Sequence, residues 1–227
     1  AVAHSTMRFW DLRYFSTNEL CESSGQPTPS AIVLNGALMR VTAETGGYSE
    51  NLLFVAESLR SQMEIETSND AAADLLVLGE YDQTYDHALI EVAQNCVAKV
   101  GPTANVVYRP HPIGKGSPES LPLGWSFSKH STTIAAINSC RVALCGPTTS
   151  AALDARLAGK AVVVVARADT LISSPAIGLP NVHLTAEEFN ATTVACERLS
   201  GSIASLEPDL LCRGQQLPRW RQLLSRT

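Results

Sequence analysis

RVALCGPTTSAALDARLAGKAVVVVA, residues 141–166, is the stretch that settles the fold class. Arg141 to Cys145 is a short apolar run that stops at Gly146-Pro147, and a helix is expected over Ser150 to Leu157. Gly159 supplies its stop, because glycine accepts the left-handed backbone that closes many helices. Ala161 to Ala166 is apolar at every position, the pattern of a parallel strand covered on both faces. Strand, turn, helix and strand follow in one span, which predicts a parallel βαβ unit.

Working outward, Val106-Val107-Tyr108-Arg109-Pro110-His111-Pro112 repeats the design as an apolar run that ends in a cationic, proline-locked turn. Before it lie a strand over Asp74 to Leu78, a turn at Gly79-Glu80-Tyr81-Asp82 and a helix over about Thr84 to Val100, with a break at Gly101-Pro102 and a strand over Asn105 to Tyr108. After it, a loop rich in Gly, Pro and Ser leads to a short strand at Trp125-Ser126-Phe127. Ser131-Thr132-Thr133 then caps a helix through Asn138, since a hydroxyl accepts from the unpaired amides of a first turn. Beyond Ala166, Asp169 to Pro180 reads as a loop, Asn181 to Leu184 as a short strand, and Thr185-Ala186-Glu187-Glu188 as a capping-box start to a helix. The alternation predicts an α/β fold with a doubly wound, mostly parallel, Rossmann-like sheet.

The flanks are less regular. Residues 1–36 read as an irregular N-terminal segment, a remnant of or link to another domain, and 37–227 as the Rossmann-like domain with its C-terminal helices. Ala31 to Leu34 predicts a strand ending at Asn35-Gly36. Ser49 to Glu64 sets Leu52, Leu53, Val55, Ala56, Leu59 and Met63 near one face, with Glu57, Arg60 and Gln62 elsewhere, which is helical spacing. Asp209 to Ser225 predicts a helix interrupted at Pro218. The chain opens on Ala1 with no initiator Met, basic n-region or apolar h-region, so it reads as an excised piece without a signal peptide.

The chain has 227 residues, and apolar (45%) and charged (17%) shares place it among globular proteins. A net charge of -5 without a Lys/Arg-rich run argues against nucleic acid as the main partner, while local positive charge can still hold a phosphorylated small molecule. No apolar run reaches the roughly 18 residues of a membrane helix, so no span is expected. Cys21, Cys96, Cys140, Cys145, Cys196 and Cys212 show no CxxC and no regular spacing, which suits reduced thiols of a cytoplasmic protein and no metal site.

Two constellations can carry chemistry. In Arg109-Pro110-His111-Pro112, two prolines fix the backbone around His111, and Arg109 adds a permanent charge suited to phosphate or carboxylate. The alternative, that the prolines only end a strand and His111 caps a neighbouring helix, stays open. In Gly146-Pro147-Thr148-Thr149-Ser150, three hydroxyls and the amides of a helix start favour an anion, with an ordinary N-cap as the alternative. Neither GxxxxGK[ST] nor GxGxxG occurs, which removes the usual support for ATP hydrolysis and for an ordinary NAD site. Gly79 ends the earlier strand at the corresponding edge and permits close backbone approach. Asp154 and Arg156 read as surface or packing charges.

The run from Arg109-Pro110-His111-Pro112 through Gly146-Pro147-Thr148-Thr149-Ser150 to AALDARLAGKAVVVV resembles the donor-binding half of GT-B glycosyltransferases. The His-Pro and Ser/Thr pair is more particularly similar to bacterial sialyltransferases and Kdo-type transferases, which use CMP-activated sugars. The His-Pro element there meets the nucleotide and the Ser/Thr element its phosphate. His4-Ser5-Thr6 and Phe9 to Phe15 further resemble surface-carbohydrate biosynthesis proteins. The likeness covers residues 74–190 and, more loosely, 4–36.

That resemblance implies a metal-independent transferase moving a sugar from a CMP-linked donor to a surface polysaccharide, a carbohydrate or a lipid-linked glycan acceptor. It needs no cofactor beyond the donor. Arg109, His111 and His4 would be catalytic, and Gly79, Pro112, Gly146, Thr148, Thr149 and Ser150 would bind nucleotide and phosphate. Two features depart from the pattern: there is one clear α/β domain instead of two, and the Asp/Glu-Asp/Glu-Gly element that supplies a base is absent, Gly79-Glu80 not matching it. The missing acceptor domain, or a partner chain, is expected elsewhere, and the isolated chain is expected to depend on it. A cytoplasmic place is implied, with peripheral contact at the inner face of the membrane compatible with it. A non-catalytic nucleotide-sugar-binding module and a nucleotide-sugar epimerase-like protein are the rival readings.

Overall fold

In a computed structural model of the chain, the described residues are 2, 29–59, 72–101, 103–113, 121–166, 172–185, 193–195, 197–199 and 210–225. In chain order they form β1 (Ile32–Leu34), α1 (Ala37–Thr45), a 3-10 turn (Glu50–Leu52), β2 (Leu53–Val55), β3 (Ala73–Leu78), α2 (Gln83–Val100) and β4 (Val106–Arg109). There follow β5 (Ser126–Phe127), α3 (Thr133–Asn138), β6 (Cys140–Cys145), α4 (Ala151–Leu157), β7 (Ala161–Val165), β8 (Val182–Thr185) and α5 (Pro218–Leu224). The chain divides into two compact units, Ala1–Glu64 with Glu207–Thr227, and Ile65–Leu206. Residue 36, the boundary read from the sequence, falls between β1 and its parallel partner β2.

In the larger unit the described strands form a six-stranded sheet in the order β5-β4-β3-β6-β7-β8, parallel throughout. This is the doubly wound, Rossmann-like α/β fold that the alternation predicts. Successive strand residues point to opposite faces. Leu75, Val77, Val106, Tyr108, Val142, Leu144, Ala161 and Val163 meet Leu89, Val92, Ala93 and Cys96 of α2. The alternate residues Leu76, Leu78, Ala143, Cys145, Val162 and Val164 are buried too, and α3 and α4 pack on β6 at the other side. Burial on both faces explains why β7 is apolar at every position, each valine contributing about 1.5–3 kcal/mol of transfer free energy. Thr132 caps α3 as expected, its hydroxyl accepting from Ala135 N at 3.2 Å.

The smaller unit corrects two expectations. The helix expected over Ser49 to Glu64 is, over its described part, a 3-10 turn and the strand β2. Leu53 is buried, Phe54 points outward, and Ile32–Leu34 offers a parallel partner in register with Leu53–Val55, so the period of two wins. Leu59, counted on the apolar face, is 56% exposed, whereas Glu57, counted on the polar one, is buried. Residues 210–217 are not helical, and Pro218 begins α5 instead of interrupting it. Its fixed φ and missing N–H suit a first helical position.

The Glu57 carboxylate accepts from Arg219 N at 3.1 Å and Trp220 N at 3.3 Å, and Trp220 Nε1 donates to the Glu57 carbonyl at 2.8 Å. A carboxylate at a helix start satisfies amides that have no partner within the helix. Glu57→Ala is therefore expected to destabilise this unit by about 1–3 kcal/mol, measured by urea unfolding followed at Trp220 fluorescence. An unchanged midpoint would show that the carboxylate does not hold α5.

Candidate functional site

The chain runs outward from β3 through β4 to β5, then returns to β6 on the other side of β3 and continues to β7 and β8. The strand order therefore reverses between β3 and β6, and the crevice outside the carboxyl ends of two such strands is the place where open α/β sheets bind ligands. Leu78 is level with Arg109 on one side and Cys145 on the other. The next residue of each strand therefore brings Gly79, Pro110 and Gly146 to one edge.

Both glycines are required by close approach. A Cβ on Gly79 would lie 2.6 Å from the Tyr108 hydroxyl and 3.2 Å from Asp86 Oδ1. A Cβ on Gly146 would lie 2.2 Å from Glu80 Cγ and 2.4 Å from Glu80 Oε1. Glu80 crosses the crevice. Its Oε1 accepts from Thr148 N at 3.2 Å and Thr149 N at 3.1 Å, and its Oε2 from Thr148 Oγ1 at 2.8 Å. The amides that the sequence reading gave to phosphate thus bind a carboxylate of the chain itself.

Glu80 is held from behind as well. Its N–H donates to Asp86 Oδ1 at 2.7 Å, and the Tyr108 hydroxyl donates to Asp86 Oδ2 at 2.9 Å. Asp86 and Tyr108 are both buried. Burial raises the Asp86 pKa, opposed by these two hydrogen bonds and by the nearby His87 and His111. Burial, and after it the Asp86 charge, pushes the Tyr108 phenol up, so it remains a donor. Asp82 caps α2 by accepting from Thr84 N at 2.9 Å, which lowers its pKa.

His111 reaches this edge, with its ring 6.1 Å from that of Tyr81 at 88° and its Nδ1 accepting from Ile113 N at 3.4 Å. Pro112 follows it, exposed. Arg109 is turned to another task. Its Nη1 donates to the His130 carbonyl at 2.7 Å, its Nη2 to the Ser131 carbonyl at 3.3 Å and its Nε to Thr133 Oγ1 at 3.2 Å, tying β4 to the start of α3. Ser150 stands before α4 with no capping bond from its side chain. His4 lies outside the described residues, as does the start of the helix expected after Thr185, while residues 193–195 and 197–199 are helical. Arg156 is fully buried, its Nε donating to the Pro180 carbonyl, in keeping with a packing charge.

Cys145 precedes Gly146 in β6, and burial, then the Glu80 charge, raises its thiol well above the ordinary value. Burial pushes Cys140 up to about 12. A raised thiol holds little thiolate, the form that attacks. Cys96 and Cys212 are buried as well. Among the described residues no group of three or more His, Cys, Asp and Glu side chains is placed to hold a metal ion. None of the described helices is long and apolar enough to cross a membrane.

Glu80, Asp86 and Tyr108 were not chosen from the sequence. The available signal was Gly79-Glu80 at a strand end, one register step from the Gly146 turn, but only strand order reveals that step.

No family model and no curated protein matches the chain. Among solved structures it is similar to TarM, with 14% identity over 75% of this chain and 39% of that one and a TM-score of 0.42. It is similar to Anabaena HepE in complex with UDP-glucose, with 14% identity over 88% and 65% and a TM-score of 0.43. It is also similar to CalG4, the calicheamicin glycosyltransferase, with 20% identity over 80% and 50% and a TM-score of 0.47. The chain spans less than two thirds of each. Likenesses this distant leave any functional reading to rest on the geometry of the crevice.

Proposed function

We propose that the chain is the donor-binding part of a glycosyltransferase, holding an activated nucleotide sugar in the crevice between β3 and β6. The observation that carries this reading is the reversal of strand order at β3 and β6, with Gly79 and Gly146 facing across it and His111 at its rim. The donor proposed is CMP-linked, supported by the His-Pro turn and the Gly146 to Ser150 turn meeting at one sheet edge.

In this reading His111 and the Ser150 hydroxyl stabilise charge on the departing nucleotide phosphate, since donors aimed at developing charge lower the barrier most in a site shielded from water. Thr148 and Thr149 build the crevice wall around Glu80, and Arg109 positions the turn that carries His111. The proton of the acceptor hydroxyl goes to a base from an acceptor domain or partner chain, and a glycan of surface polysaccharide type is the acceptor proposed.

CMP at a hundred times its Kd should raise the melting temperature by roughly 5–10 °C. His111→Ala should abolish the shift, and UDP-glucose should give a smaller one. No shift with either compound would overturn the reading.

A further inference from the structure

We propose that Tyr81 is the platform on which the base of a bound nucleotide stacks at the lip of the crevice, an inference that rests on the nucleotide-binding reading above. Tyr81 stands between two anchored residues. Glu80 is pinned through its N–H to Asp86 and through its carboxylate to Thr148 and Thr149. Asp82 is pinned as the cap of α2. The backbone under Tyr81 is thus fixed, while its side chain is 55% exposed at the carboxyl end of β3. Tyr108, on the next strand, is hidden completely. An exposed ring on a fixed backbone at the strand ends is placed to meet a flat ligand at little ordering cost.

The ring geometry says which kind. The Tyr81 and His111 rings stand at 88° with centroids 6.1 Å apart, forming a two-walled aromatic corner. A planar heterocycle stacks on the phenol face with the offset that aromatic pairs prefer. His111 Nδ1 is taken up by Ile113 N, which leaves Nε2 as the ring nitrogen for a ligand. A pyrimidine base has both the flat face and the carbonyl edge to match. A phosphate or a saturated sugar has no aromatic face.

The experiment titrates CMP and ribose 5-phosphate into wild type, Tyr81→Ala and Tyr81→Phe by calorimetry, using the full chain, with melting curves to verify folding of each variant. Tyr81→Ala should weaken CMP about tenfold or more, the effect of losing one base–aromatic stack. Tyr81→Phe should stay within about twofold, and ribose 5-phosphate should bind all three proteins alike. Wild-type affinity for CMP in Tyr81→Ala overturns the inference and leaves the function standing, as does an equal loss for ribose 5-phosphate. A wild type that binds neither compound overturns the nucleotide-binding reading, and the inference falls with it.

Discussion

Gly146→Ala is expected to destabilise the larger unit by about 2–5 kcal/mol and to remove CMP binding. The added Cβ would sit 2.2 Å from Glu80 Cγ, 2.4 Å from Oε1 and 2.7 Å from Cδ, distances at which the carboxylate must leave. Leaving breaks the hydrogen bonds from Thr148 N, Thr148 Oγ1 and Thr149 N and strands two amides at the sheet edge. Gly124→Ala is the control. Gly124, unlike Gly146, has a positive φ, but a Cβ there meets nothing within 4 Å, so only about 1–2 kcal/mol of backbone strain is expected. Urea unfolding by circular dichroism measures both. In a Glu80→Ala background the cost of Gly146→Ala should shrink by more than half, because the colliding group is gone. An undiminished cost there would assign the effect to the backbone and not to Glu80.

Asp86→Ala is expected to cost about 2–4 kcal/mol, since it leaves two buried donors, Glu80 N–H and the Tyr108 hydroxyl, without their acceptor. Asp86→Asn keeps one carbonyl acceptor and offers an amide proton to a rotated Tyr108 hydroxyl, so its cost should be smaller. The pH dependence has a definite sign. Burial raises the Asp86 pKa above its ordinary 3.8, so in the window just above 3.8 the unfolded chain has lost a proton that the folded chain keeps. Stability from this group is full below that window and is lost as pH rises through the folded value. Comparing urea midpoints of wild type and Asp86→Asn across pH 3.5 to 6 isolates the slope. A wild-type curve that rises relative to Asp86→Asn in that window would reverse the assignment.

The larger unit was legible from residues 141–166 because β7 is apolar at every position and Gly159 closes α4. The sheet edge was legible in part, since strand ends are local signals. Glu80 was not, because its partners Thr148 and Thr149 are 68 and 69 residues away and only the strand order brings them together. Arg109 misleads for a similar reason: a cation at a strand end looks available to a ligand, but its bonds to His130, Ser131 and Thr133 depend on where α3 begins. β2 was hidden because Leu52, Leu53, Val55 and Ala56 satisfy a helical spacing as well as an extended one, and the parallel partner at Ile32–Leu34 decides between them.

The smaller unit takes β1 and β2 from the first stretch and α5 from the last, with the whole of the larger unit between them. During synthesis the larger unit is complete before Arg219 and Trp220 exist, and domains generally fold as they emerge. Until then the Glu57 carboxylate stays in water and the Asn35 carbonyl waits for Cys212 N, which bonds it at 2.8 Å in the finished fold. Among the described residues this sheet is β1 and β2 with a bridge from Val2 to Val33, and so small a sheet is marginal by itself. Translation therefore imposes an order of assembly: β1 and β2 are carried as an unfinished edge, and the ribosome must reach α5 before the smaller unit closes.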